Sequence, residues 1–253
     1  MQNWWVRLRR RFNKTFDVAH PMAAHPKLAS AMALIHGQAR PSELEGMARF
    51  GLTGERRLGL SVPSMRQIAK HVGRDHSLAQ ALWDTNIPDA RIVASLVAEP
   101  DKFSSRQMDD WAKGFATWDV CDQVCLNAFR GSRLAWGKVH AWRQSEREFV
   151  RRAAFSLLAV LAVHDKQSGD GPFLAALALM EPAASDDRNF VKKAVNWALR
   201  NIGKRNQLLN AVAVETALKI QQQGSKSARW IAADALRELR SEVVQARITR
   251  KEY

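Results

Sequence analysis

Two cysteines, Cys121 and Cys125, are all that this sequence holds. At i, i+4 on one helix they do not reach disulfide geometry easily. With no CxxC pair and no Cys/His cluster they offer neither a disulfide framework nor a zinc site. They read as small buried thiols of a reduced, cytoplasmic protein. Long apolar runs are also missing. The longest, Leu157 to Val163, suits a core helix and falls short of the roughly 18 residues that a membrane span needs. No membrane partner is expected. Period-two alternation is too brief anywhere to make a strand. There is no HExxH, no Walker A loop, no GxGxxG after a strand and no nucleophile elbow. The seven histidines are scattered. These absences exclude the common metalloenzyme, nucleotide-binding and serine-hydrolase patterns, and no metal or cofactor is expected.

Acids are scarce relative to bases. Against 39 Lys and Arg stand 25 Asp and Glu, a formal charge of +14 over 253 residues, and the pI is about 10.5. A surplus of that size favours a polyanion, most often nucleic acid. The hydrophobic share of 46% excludes a disordered tail and gives ample material for a core.

The order of signals along the chain is helical throughout. Residues 1–40 form a basic N-terminal extension, partly ordered. It lacks the apolar core of a secretory signal, and reads as a loose basic extension, with a transit peptide, a membrane-surface anchor or a DNA-binding arm as alternatives. An Ala/Leu/Met stretch from Leu28 to Ile35 suits one helix. Pro41-Ser42-Glu43 starts the next, with Ser42 as a possible N-cap. Gly51, Gly54 and Gly59 mark a loop carrying Arg56 and Arg57. Helices are then expected at about 62–71, 77–84, 90–98, 104–114, from Trp118 onward, and at 133–143, 146–164, 171–181, 187–203, 207–222 and 225–245. The segments beginning Phe149-Val-Arg-Arg-Ala-Ala, Phe190-Val-Lys-Lys-Ala-Val and Ser227-Ala-Arg-Trp-Ile-Ala are variations on one theme, with Ala90 to Val97 a weaker fourth. Their spacing of about 40 residues is that of HEAT-type helix pairs. The expected fold is all-α: HEAT-like repeats over 41–245, stacked into a curved solenoid with a concave basic groove, followed by a basic tail at 246–253.

One stretch stands apart chemically, Phe115 to Leu126. Trp118 and Asp122 share a helix face one turn apart, a flat ring beside an anionic acceptor. Asp inside a helix is unfavourable and asks for a reason. Capping by Asp119 or Asp122, or pairing with Arg130 or Arg133, is the plain alternative, as is simple core packing for Trp118. Further on, Lys193, Trp197, Arg200 and Lys204 share a face, cations with an embedded aromatic, as where phosphates are held and a sugar or base is stacked. Arg152 occupies the position of Lys193 in the preceding repeat.

In order and spacing, Met47-Ala-Arg-Phe50, Gly59-Leu-Ser-Val-Pro63 with Arg66, Trp118-Asp-Val-Cys-Asp122, Arg151-Arg-Ala-Ala154 and Lys193 to Arg200 resemble the DNA alkylation repair enzymes of the AlkD type, the HEAT-like DNA glycosylases. The resemblance covers roughly residues 40–245. It implies excision of cationic N3- or N7-alkylated purines from duplex DNA in base excision repair, by a monomer without a cofactor. It makes Asp122 catalytic and sets Trp118 and Trp197 around the nucleotide's sugar. Arg152 falls on the phosphate backbone, with Arg200, Lys193, Phe50 and Ser61 as further DNA contacts. Where Phe50 and Ser61 stand, the family form has a tyrosine and a glutamine, so the DNA contacts there differ. Two non-enzymatic readings compete: a HEAT protein binding distorted or branched DNA, and a helical scaffold for RNA or acidic proteins.

Overall fold

A computed structural model describes residues 25–54 and 56–250. Among them it contains helices and no strand. In chain order the α-helices are α1 (Leu28–Gly37), α2 (Leu44–Arg49), α3 (Val62–Val72), α4 (His76–Asp84), α5 (Pro88–Val97), α6 (Ser105–Lys113), α7 (Trp118–Asn127) and α8 (Ala135–Trp142). They continue with α9 (Glu148–His164), α10 (Gly171–Leu177), α11 (Met180–Ala183), α12 (Asn189–Gly203), α13 (Gln207–Gln221), α14 (Lys226–Leu239) and α15 (Glu242–Thr249). The architecture is the expected array of HEAT-like repeats.

Helices α5, α7, α9, α12 and α14 pack one on the next as a continuous row. Helices α3 and α4 back α5, α8 backs α9, and α13 backs both α12 and α14. Alanine makes the row possible. Ala153 and Ala154 on α9, Ala194 and Ala198 on α12, and Ala228 and Ala232 on α14 are all fully buried. Without longer side chains between them, neighbouring helices approach closely and interlock. Beneath the row, Trp83 stacks on Trp111 at 4.3 Å, with the Arg91 guanidinium 4.3 Å from the Trp83 ring.

The boundaries depart from the sequence expectations in four places. The repeat array begins before residue 41, because α1 buries Ala31 and Ile35 against α3, α4 and α5. The Pro41-Ser42-Glu43 segment is a single 3-10 turn in which Ser42 caps nothing. The helix expected at 171–181 divides into α10 and α11. That expected at 225–245 stops at Leu239, and Ser241 restarts the chain as α15 by accepting the Val244 N–H. Residues 1–24 of the extension and 251–253 of the tail lie outside the described residues.

The end of the loop that leads into α3 is pinned from below. Asp89, fully buried at the start of α5, accepts the backbone N–H of Leu58 and of Leu60, both at 2.8 Å. Between those two residues Gly59 has φ +81°, and a Cβ there would lie 2.3 Å from the Arg40 carbonyl oxygen. Substitution Gly59→Ala therefore meets both a left-handed backbone and a rigid backbone clash. A loss of about 2 kcal/mol or more is expected, and chemical denaturation of the variant measures it.

Ion-paired carboxylates tie the array together elsewhere. Burial pushes the Asp186 carboxyl up, but hydrogen bonds from Arg188, with Arg151 3.2 Å away, hold it below its ordinary value. Glu238 is held low in the same way by Lys204 and Arg200. Carboxylates with lowered folded-state pKa values stabilise above the ordinary carboxylate range, and that stability is lost as the pH falls through the lowered values. The melting temperature is thus expected to hold from neutrality and to fall steeply below about pH 4. The Glu238→Gln variant should show a shallower fall, and a melting curve independent of pH down to that range and beyond would contradict these assignments.

Candidate functional site

The first turn of α7 is built by its neighbours. Thr117 is the N-cap residue, but its hydroxyl caps no helix N–H; it accepts from Arg57 Nη2 at 3.3 Å instead. The buried Arg57 also grips Asp119, at 2.8 and 3.1 Å. Asp119 is therefore a structural residue that clamps the α2–α3 loop to the start of α7. The next acid along, Asp122, has a different environment. Its Oδ1 accepts from Arg152 Nε at 3.0 Å and from Ser156 Oγ at 2.8 Å. Its Oδ2 accepts from Arg152 Nη2 at 2.7 Å. Arg152 and Ser156 lie one turn apart on α9, so a single helix face supplies all three donors. The remaining arm of Arg152, Nη1, donates to the Phe190 carbonyl at 2.6 Å, at the start of α12.

The partners of Asp119 and Asp122 are thus Arg57 and Arg152, not Arg130 or Arg133. Burial raises the Asp122 carboxyl above its ordinary value, against the opposing pull of Arg152 and Ser156. Burial works against the Arg152 charge too, but Asp122 beside it outweighs that and raises its pKa. The pair is a carboxylate and a guanidinium locked in a bidentate fork, the stronger geometry for such a contact.

Around this pair opens a cleft of about 590 Å³. Trp118 from α7 and Trp197 from α12 line it, together with Asp122, Arg152, Lys193, Phe50 and Arg49. A volume of this order holds a drug-sized or nucleotide-sized group. The Trp118 indole is fixed by its Nε1–H, which donates to the Phe50 carbonyl at 2.9 Å. The Phe50 ring itself is 73% exposed at the rim. Immediately after it, Gly51 has φ +75°, and a Cβ there would lie 3.3 Å from the Phe190 ring. The end of α2 thereby reaches the start of α12 and brings Phe50 to the cleft.

Of the residues singled out from the sequence, Asp122, Trp118, Trp197, Arg152, Lys193 and Phe50 come together. Ser61 and Arg200 do not line the cleft. Ser61 caps α3, accepting the Ser64 N–H at 3.2 Å. Arg200 pairs with Asp234 and Glu238 on α14, and Lys204 with Glu238 at 2.7 Å. The basic stripe read along α12 is largely neutralised by the next helix, and Lys193 is the exposed cation of that face in the cleft. The resemblance set Arg152 on the DNA backbone. Here its guanidinium is buried on Asp122, with three of its N–H groups engaged. Ser156 and the Phe190 carbonyl were not foreseen. A serine within the apolar run Ala153 to Val160, one turn beyond Arg152, was the available signal for the first.

Both cysteines are free and buried, and their thiols point to the Phe149 and Ala153 carbonyls of α9. No group of His, Cys, Asp and Glu suited to a metal occurs among the described residues, and no helix there is long and apolar enough to cross a membrane.

Comparison with known proteins bears on the fold and the family. No curated protein sequence matched the chain. Among solved structures it is similar to a member of a new family of proteins related to the HEAT-like repeat DNA glycosylases with affinity for branched DNA structures. That match has 19% identity and a TM-score of 0.71, covering 87% of this chain and 95% of the other. An engineered protein also matches, at 16% identity and a TM-score of 0.35, over 85% of this chain and 92% of its own. The family model for DNA alkylation repair enzymes matches residues 31–239, which take in the whole row from α5 to α14 and every residue of the cleft, and the chain belongs to that family.

Proposed function

We propose that this protein is a DNA glycosylase that excises cationic N3- or N7-alkylated purines from duplex DNA by hydrolysing the N-glycosidic bond. The observation that carries the reading is the meeting of one fixed carboxylate, Asp122, with two indoles, Trp118 and Trp197, in one cleft with Lys193 at its edge. A purine alkylated at N3 or N7 already bears positive charge. When the C1′–N bond breaks, its electron pair goes to the base, which departs neutral and needs no general acid. Positive charge then develops on the deoxyribose, as in other glycoside cleavages. Asp122 stabilises that charge and orients the attacking water, whose oxygen bonds to C1′ and whose proton passes to solvent. The indole faces favour the same cationic centre. Arg152 and Ser156 hold the carboxylate in place, which saves its reorganisation during the reaction. Phe50 and Lys193 are assigned to the sugar-phosphate backbone. The DNA contacts expected of Ser61 and Arg200 would require those residues to act from outside the cleft.

A second reading is favoured by a specific observation. The Arg152 fork occupies both oxygens of Asp122, and a carboxylate so engaged serves structure equally well. The similar protein has affinity for branched DNA, and a non-catalytic protein that binds distorted or branched DNA would keep this array. Incubation with methylated duplex DNA separates the two. Release of N3-methyladenine or N7-methylguanine supports the glycosylase. Salt-sensitive DNA binding without any release supports the binding protein and rejects the enzyme.

A further inference from the structure

The far ends of α7 and α9 take no part in the site around Asp122. They line a second cleft, of about 660 Å³, between the turn after α7, the start of α8 and the segment after α9. His164 closes α9 about 18 Å along the axis from Arg152, at 1.5 Å per residue. The two clefts therefore lie towards opposite ends of the same helices.

Its walls are cationic. Arg130 sits on a 3-10 turn, Phe129–Gly131, pressed so closely onto the turn after α5 that a Cβ at Gly131 would lie 3.0 Å from Pro100. Arg133 follows on the same strand of chain, Lys166 and His164 come from the end of α9, and Arg74 comes from the turn between α3 and α4. Arg130, Arg133 and Lys166 make no ion pair or hydrogen bond among the described residues. Arg74 donates to the Ala98 carbonyl, which brings no charge. Two carboxylates face these groups, Asp101 and Asp165. Asp165 is already engaged, accepting from Trp136 Nε1 at 3.0 Å, Ser168 Oγ at 2.7 Å, Ser168 N at 2.9 Å and Gln167 N at 3.1 Å. Four permanent cations thus surround one exposed and one occupied carboxylate. Burial, and then the charges of Arg130 and Lys166, lower the His164 pKa, as expected where positive charge is not compensated.

We infer that this cleft is a second phosphodiester-binding site, in which Arg130, Arg133 and Lys166 hold the backbone of duplex DNA. It goes beyond the excision reading and does not depend on it, since backbone contacts carry affinity whether or not a base is removed. Arginine suits the task because its planar fork matches the two free oxygens of a phosphodiester.

The test compares the full-length protein with its Arg130→Ala/Arg133→Ala variant, by fluorescence anisotropy on one linear duplex over a series of salt concentrations. Each lost phosphate contact removes about 0.9 from the slope of log K against log salt. The variant is expected to lose about 1.8 in slope and roughly tenfold or more in affinity near physiological salt. Unchanged slope and affinity would overturn the proposal, and a lowered melting temperature alone would assign the arginines to the negative C-terminal ends of the helices. Calorimetric titration with inorganic phosphate covers the other source of this ligand. Saturation by phosphate together with unaltered DNA binding by the variant makes the cleft a free-anion site and also overturns the proposal. The Asp122→Asn variant, run in parallel, should lose excision and keep its salt slope, so failure of the glycosylase reading would appear in the excision arm alone.

Discussion

Asp122→Asn is expected to lower the rate of N7-methylguanine release by about two to three orders of magnitude, the usual cost of removing one preorganised electrostatic partner of a transition state. Asparagine keeps the shape and one acceptor oxygen but carries no charge to set against the developing oxocarbenium. Some release should persist, because the leaving base is already cationic. Duplex DNA binding should survive, since Trp118, Trp197 and Lys193 remain around the cleft. The wild type should show the same dependence through pH. In the proposed reaction Asp122 acts ionised, and burial raises its pKa, so excision should fall on acidification with a midpoint above the ordinary aspartate value of about 3.9. The sign for stability is opposite to that of Asp186. A carboxyl whose folded pKa is raised stabilises the fold when protonated and less as the pH rises through that value. Equal release by wild type and Asp122→Asn, over matched single-turnover time courses, would remove Asp122 from the chemistry.

Arg152→Ala is expected to be the more damaging change to the fold. It removes the fork from Asp122 and leaves a buried carboxylate facing Ser156 alone, while the Phe190 carbonyl loses its donor. Breaking a buried pair by deleting one partner typically costs about 3–5 kcal/mol. In a chain of this size that corresponds to a fall in melting temperature of order 10 °C. Excision should be lost together with stability. Arg152→Lys separates the two effects. Lysine restores a positive charge but is a point donor and cannot serve Asp122 and Phe190 in one plane. It should recover much of the melting temperature and little of the excision. A melting temperature unchanged in Arg152→Ala would mean that the fork contributes nothing to the fold.

The helical class was legible because period-two patterning is absent and the Phe149, Phe190 and Ser227 segments repeat. The row itself was only partly legible. Helix α7 belongs to it between α5 and α9, yet its sequence, Trp118 to Asn127, contains none of the alanines that the repeated segments share. The Trp118 and Asp122 spacing pointed to a site, and order along the chain added Trp197 and Arg152. What failed was electrostatics between helices. Lys193, Trp197, Arg200 and Lys204 make a cationic face on α12 taken alone, but Asp234 and Glu238 of α14 pair two of its three cations, Arg200 and Lys204. The pairing partner lies about one repeat away in sequence, and a reading of one helix face does not include it. The same limit hid Arg57 behind Asp119, a pair separated by the whole of α3 to α6. The break before α15 was missed because the helical periodicity runs on through Ser241, the N-cap of α15.

Arg152 touches three successive helices of the row: it is rooted in α9, forks onto Asp122 of α7 and donates to Phe190 of α12. In mechanical terms it is a pivot joining three struts. A change in the spacing of α7, α9 and α12 must stretch one of its contacts, so the curvature of the array and the aim of the Asp122 carboxylate form a single degree of freedom. Under the proposed function, a duplex that bent the array as it settled would move the Asp122 carboxylate with it.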